Sequence, residues 1–264
     1  MITKLALFFL GFNFAVVAQS TLPMFQQGKH RALILSGRNN HDWRTTTPFL
    51  RQTLVDSGKF DVRVNEEPMG ITAATLAAYE VLLLDYNGPR WGAGAEQAVR
   101  DFVASGKGLV AIHAAAWAFH GLDVLGDKHK RMGIFEPPWE EYARLIGCKW
   151  SEQEPKTGHG KRHVFTVKVT GREHPVGRDL PESMQANDEL YHNMRMRPEA
   201  SVLATAFDAK ETNGSGKDEP MLWVVEYGKG RVFHQTLGHD VEAMREPAFL
   251  LPIIRGTEWA ATGR

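Results

Sequence analysis

"LILSGRNNHDWRTTTPFL", residues 33–50, begins as an apolar strand and breaks at Gly37 into Arg38, Asn39, Asn40, His41, Asp42 and Trp43. A simple turn needs one Gly and one Asn, whereas so long a polar run suits a binding loop. Upstream, "HRALILS" is nearly continuous in apolar residues, as expected of a parallel strand covered on both faces. Downstream, Thr47 followed by Pro48 predicts a helix with proline at its first position, running to about Ser57. Strand, polar loop and helix together make one unit of an open α/β sheet.

The unit repeats. "FDVRV" is a second strand, Thr72 caps a short helix, and "YEVLLLD" is a third strand. "GAGAEQAVRDFVASGKG" reads as a helix closed by Gly106 and Gly108, and "GLVAIH" as a fourth strand. Residues 114–160 are less regular and read as a long insertion with one helix near Glu140 to Ile146, covering a site. "HVFTVKV", "SVLATAF", "PMLWVVEY" and "GRVFHQTLG" are further strands, while "GREHPVGRDLPESMQANDELYHN" reads as a polar, turn-rich connection. A last helix starts near Glu246. The predicted fold is an α/β three-layer sandwich around a doubly wound, mostly parallel sheet.

The first twenty residues, "MITKLALFFLGFNFAVVAQS", carry Lys4, an apolar run from Leu5 to Val17 and small residues at Val16-Val17-Ala18. They predict a cleaved signal peptide over residues 1–18 and hence an exported protein, periplasmic or secreted. Basic and acidic residues balance at 31 each, which argues against nucleic acid or an anionic membrane as partner. With Cys148 as the one cysteine, no disulfide forms within the chain and a large core must supply the stability.

Ligands of open α/β sheets bind beyond the carboxyl ends of the strands. Polar clusters fall there: His41 and Asp42, then Asp85, Tyr86 and Asn87, then His113, and His234 to Asp240. Glu189, Tyr191 and His192 occupy a long loop able to fold over the same edge. Each has a plainer reading, as a helix cap, a satisfied interior histidine or a solvated loop. His120, His129, His159, His163 and His174 lack such context and read as fold or surface residues. Neither G-x-G-x-x-G nor G-x-x-x-x-G-K-[ST] occurs, so dinucleotide and P-loop binding are not expected. Imidazoles with a carboxylate at strand ends suit zinc or another divalent ion, assembled from distant loops because no H-E-x-x-H spacing exists. Sugar chemistry would use such a site, the metal polarising a carbonyl while a neighbouring group moves a proton. Trp43, Trp91 and Trp117 are candidates to stack on a pyranose ring.

The ordered set "ALILSGRNNHDW", "YEVLLLDYNG", "KGLVAIHAA", "HPVGRDLP…NDELYHN", "PMLWVVEYGKGRVFHQTLGHD" and "FLLPIIRGTEWAATG" resembles the trehalose-utilisation ThuA-like family over about residues 30–263. The resemblance implies a class I glutamine amidotransferase-like, flavodoxin-like fold. In that wider group a catalytic cysteine occupies the turn after a central strand, and a histidine lies in a later F-H-P-E motif. Here the turn position holds His113, and "VFHQ" keeps Phe233 and His234 without the proline and glutamate. Imidazole cannot form the thioester of glutamine hydrolysis, so amidotransferase activity is not expected. The family's characteristic polar residues fall on His41, Asp42, His113, Glu189, Tyr191, His192, His239 and Asp240.

The resemblance implies a role on keto-sugars or 3-keto-glycosides; with the strand-end imidazoles and carboxylate, the expected activity is a metal-assisted lyase, hydrolase or isomerase. The expected metal ligands are His113, His192 and His239. Glu189 is the expected general acid or base, Asp42 orients His41, and Tyr191 belongs to the same catalytic group. Asn87, Trp43, Trp117 and Asp240 are the expected substrate contacts. A non-catalytic sugar-binding accessory protein is the second reading. The expected partner is a small carbohydrate, with oligomeric state left open.

Overall fold

The computed structural model describes residues 24–119 and 139–264, together with the backbone of two short strands at 122–123 and 130–131. The predicted signal peptide, His120, His129 and the rest of residues 120–138 within the segment read as a covering insertion, those two strands apart, lie outside the described residues. Nine strands form the main sheet: β1 His30–Leu35, β2 Phe60–Asn65, β3 Val81–Leu84, β4 Gly108–Ile112, β5 His163–Val169, β6 Ser183–Asp188, β7 Ser201–Phe207, β8 Asp218–Tyr227 and β9 Gly230–Gln235. The helices are α1 Trp43–Asp56, α2 Ala73–Leu76, α3 Ala93–Ala104, α4 Glu140–Ile146, α5 Val241–Met244 and α6 Pro247–Thr262. Among the described residues no helix is long and apolar enough to cross a membrane.

The sheet order is β6-β5-β7-β8-β9-β4-β3-β1-β2. β2, β1, β3, β4 and β9 are parallel neighbours, and β8, β7, β5 and β6 extend the sheet by antiparallel pairing. Only β5 and β8 therefore run against the common direction. The carboxyl ends of β1, β3, β4, β6 and β9 all reach one edge.

Side-chain alternation splits the core between two faces. Ala32 and Ile34 face Leu50 and Leu54 of α1, together with Phe249 and Ile253 of α6. Leu33 and Leu35 face Val99 and Phe102 of α3. Central β3, "VLLL", is buried throughout because helices cover both its faces. Helix α6 approaches the sheet closely because Gly256 has no side chain; a Cβ there would lie 2.1 Å from the Phe233 ring. Replacing Gly256 with Ala is expected to destabilise the fold by about 1–3 kcal/mol through overpacking, read as a lower urea midpoint with unchanged slope. An unaltered midpoint would show that the ring can yield.

Two expectations need correction. Helix α1 begins at Trp43, so Pro48 sits inside it rather than at its first position. The early start follows from the loop: Thr46 and Thr47 donate their hydroxyls to buried Asp85, drawing the first turn onto the end of β3. The stretch read as a turn-rich connection contains β6, in which Met184, Ala186 and Asp188 alternate inward. Its few β-branched residues hid it. Pairing with β5, and packing against α5 and α6, hold it in place.

Candidate functional site

His113 is the first residue after β4 and takes a left-handed backbone conformation with φ 47°. That conformation is unusual for a residue with a side chain and marks a tightly held turn. The side chain is 2% exposed. Its Nδ1 lies 2.6 Å from the Thr236 carbonyl oxygen, an acceptor, so Nδ1 carries the proton and Nε2 presents a lone pair. Burial holds the imidazole neutral, its pKa depressed to about 3.

His41 enters from the loop after β1. Its Nδ1 lies 3.1 Å from the side-chain oxygen of Asn39, and its Nε2 lies 3.3 Å from Nε2 of His113. The Tyr191 hydroxyl is 3.0 Å from the same His113 nitrogen. Burial first, then the negative charges of Glu189 and Asp188, push the Tyr191 phenol well up, so it keeps its proton.

Glu189 follows the end of β6. Its Oε2 lies 3.1 Å from Nδ1 of His239, 3.5 Å from Nε2 of His159 and 3.7 Å from Nε2 of His113. Burial alone would raise the Glu189 carboxyl, but the His239 contact and the other imidazoles outweigh it and hold it below the usual range. The Glu189 contact raises His239 against the opposing effect of burial. Neighbouring Asp188 ties the two segments together. It accepts from the backbone N–H of Gly238 and of Glu189, each at 2.7 Å, and burial pushes its carboxyl up to about 6.

One ligand atom each from His41, His113, Glu189 and His239 lies within 4.8 Å of every other. Nitrogens bound at about 2.0–2.1 Å by a tetrahedral zinc ion are roughly 3.3–3.4 Å apart, and the His41–His113 separation of 3.3 Å matches that edge. The Nδ1–H groups of both rings are held by oxygens, the usual outer support of metal-binding histidines. These donors fit a divalent cation.

A cavity of about 560 Å³ opens over this cluster. Its lining includes His41, Asp42, Asn87, Trp117, Glu189, Tyr191, His239 and Asp240. Asn87 donates to Asn40 at 2.7 Å, while its own oxygen, buried, has no hydrogen-bond partner among the described residues. Asp240 caps α5 through the Ala243 N–H and pairs with Arg162. Its carboxyl sits below its ordinary value because these partners outweigh burial.

His192 is not a member of the cluster. It lies on a two-residue ribbon, Tyr191–His192 paired with Gly158–His159, and alternation sends Tyr191 inward while His192 bonds Asp208 at 2.7 Å. His41 lines the cavity beside His113. The carboxylate of Asp42 accepts from the Thr45 hydroxyl at 3.0 Å, and the atom beside His41 Nδ1 belongs to Asn39. Trp43 does not line the cavity and stacks under the Arg44 guanidinium, and Trp91 is buried against Tyr86 and Phe119. Cys148 is buried away from the cavity, its thiol pushed up by burial.

Two lining residues carry no signal in the sequence. His159 reaches the cluster only through its ribbon pairing with Tyr191. Trp150, 5.9 Å from Trp117 between ring centres, sits in the irregular region where no periodicity marks it.

A family model described as "ThuA: Trehalose utilisation" matches residues 31–260. The crystal structure of a ThuA-like protein from Parabacteroides merdae is similar with a TM-score of 0.74 and 30% identity, covering 89% of this chain and 91% of that one. A ThuA-like protein from Bacteroides uniformis gives 0.65 and 18% identity, covering 91% and 95%. A β-galactosidase from Rahnella sp. R3 gives 0.53 and 18%, covering 86% of this chain but 30% of the enzyme, and shares the fold alone. A comparison with curated proteins finds no match. The chain therefore belongs to the ThuA, trehalose-utilisation family.

Proposed function

We propose that this protein is an exported, metal-assisted enzyme acting on a keto-sugar or 3-keto-glycoside. One observation carries the reading: His41 and His113, their Nδ1 protons already committed to oxygens, direct Nε2 lone pairs at each other across 3.3 Å beside Glu189 and His239. Without a cation the Tyr191 hydroxyl, 3.0 Å away, donates to the His113 lone pair; a cation between the two rings would engage both lone pairs at that point. His41, His113 and His239 are the proposed holders of the cation, with His41 in the role first expected of His192.

A bound divalent ion would polarise a carbonyl or adjacent hydroxyl and ease loss of the neighbouring proton. Glu189, held ionised, accepts that proton, and Tyr191, held protonated, is a donor to oxygen beside it. Elimination of the glycosidic oxygen followed by hydration, or isomerisation, begins with this same proton transfer. Trp117 and Trp150 offer faces for a sugar ring, and the Asn87 oxygen accepts a ligand hydroxyl. A cavity of about 560 Å³ is in the usual range for small-molecule sites. The apolar run at Leu5 to Val17 supports export.

The test combines metal and turnover. The purified protein, stripped and reloaded with Zn²⁺ or Mn²⁺, is assayed on 3-keto and unmodified disaccharides with and without chelator. Glu189→Gln is expected to lower turnover by on the order of a hundredfold or more while retaining the metal. Loss of metal in that variant would instead make Glu189 a ligand. A wild-type protein that takes up no divalent ion would remove the metal-assisted reading and leave sugar binding without chemistry.

A further inference from the structure

We propose that Asn39, locked by Asp85, is a positioning residue that fixes the tautomer of His41 and so makes its Nε2 available as a ligand. The inference rests on the metal-site reading above but concerns atoms outside the proposed coordination sphere.

Asn39 and Asp85 are 3% and 4% exposed, so bulk solvent does not compete for either side chain. An asparagine amide can be turned either way, which would exchange its acceptor for a donor. Here both ends dictate the choice. The main-chain N–H of His41 donates to Asn39 Oδ1 at 3.0 Å, which demands oxygen there. At the other end Asn39 Nδ2 donates to Asp85 Oδ1 at 3.0 Å. Asp85 is itself fixed by the hydroxyls of Thr46 and Thr47, which donate to its other oxygen at 2.8 and 2.7 Å.

With oxygen assigned, His41 Nδ1 at 3.1 Å must be the protonated nitrogen of the neutral ring. Its Nε2 is then the bare nitrogen facing His113. Carboxylate, amide and imidazole thus form a chain from the end of β3, through the loop after β1, to the cluster. The polar loop "SGRNNHD" contains its own orienting group two residues before the imidazole. Outer partners of this kind typically contribute 10–100-fold to metal affinity.

The experiment reads tautomer and metal separately. Long-range ¹H–¹⁵N spectra of the metal-free protein are expected to show His41 protonated at Nδ1 and bare at Nε2. Asn39→Ala should shift the ring toward the Nε2–H form and weaken Zn²⁺ binding in calorimetry by about 10–100-fold. The exchange pair Asn39→Asp with Asp85→Asn keeps an acceptor toward His41 and a donor between the two positions. It should restore the Nδ1–H form and bring affinity back to within about threefold of wild type. If Asn39→Ala does not fold, the exchange pair alone decides, since an Nε2–H ring in that protein overturns the proposal. So does an Asn39→Ala protein with unchanged tautomer and unchanged affinity. Should wild type bind no Zn²⁺, the enzyme reading falls, yet the metal-free spectra still decide whether Asn39 sets the tautomer.

Discussion

Acidification from pH 6.5 toward 4 is expected to destabilise the metal-free protein through two buried imidazoles. His113 and His234 are both buried and held neutral, each with its pKa depressed to about 3 against an ordinary value of 6.5. His234 stacks on Trp223 with ring centres 4.0 Å apart, and its ring nitrogens have no hydrogen-bond partner among the described residues. The unfolded chain takes up two protons that the folded chain refuses. This contribution to stability is complete above pH 6.5 and is lost as the pH falls toward 3, at most about 1.4 kcal/mol per pH unit for each imidazole.

Asp188 works in the opposite sense. Its folded pKa of about 6 lies above the ordinary 3.8, so between those values the folded state binds the extra proton and gains stability as the pH falls. Burial raises the Asp85 carboxyl as well, so both carboxyls offset part of what the two imidazoles lose, and the net decline between pH 6 and 4 is smaller than the imidazoles alone would give. Urea unfolding in chelator at pH 7, 6, 5 and 4 measures it. His234→Leu removes one imidazole without touching the cavity lining and should lessen the acid-side loss by up to about 1.4 kcal/mol per pH unit in that window. A His234→Leu profile with the same slope as wild type would mean that this ring is not held neutral.

The second large effect concerns cation affinity. His113→Asn retains a residue type tolerant of the left-handed backbone but removes the most deeply buried ligand of the cluster. Zn²⁺ affinity is expected to fall by on the order of a hundredfold or more, since even indirect supports typically contribute 10–100-fold. His192→Asn is the informative companion. Its imidazole is directed to Asp208, so affinity should stay within about twofold of wild type. Comparable losses in both variants would contradict a cation centre held by His41, His113 and His239. A wild-type-like His113→Asn would do so as well.

Much of the site is legible in the amino-acid sequence, because polar residues following apolar parallel strands must emerge at one sheet edge. His41, His113 and His239 stand out in this way, and Glu189 through the loop that follows. Asn39 lies in the polar loop without a distinct signal, since a polar loop residue and an orienting group have the same composition. His159 lines the cavity while His192 turns away to Asp208 for a physical reason. Adjacent strand residues point to opposite faces, so whether Tyr191 or His192 faces the cavity depends on how the ribbon is turned. That is set by Tyr191 pairing with His159, thirty-two residues away in the chain.

What the sequence by itself determined was the local pattern: apolar runs long enough for strands buried on both faces, helices between them, and polar groups at the strand ends. Those follow from backbone periodicity and burial, which neighbouring residues settle among themselves. Which imidazoles meet was decided only in three dimensions. β6 lies at the far edge of the sheet, and Glu189 comes within reach of His113 only because β6 packs against α5 and α6 while Asp188 fastens its end to Gly238. Contacts between segments so distant in the chain depend on register and packing, for which no local spacing carries a signal.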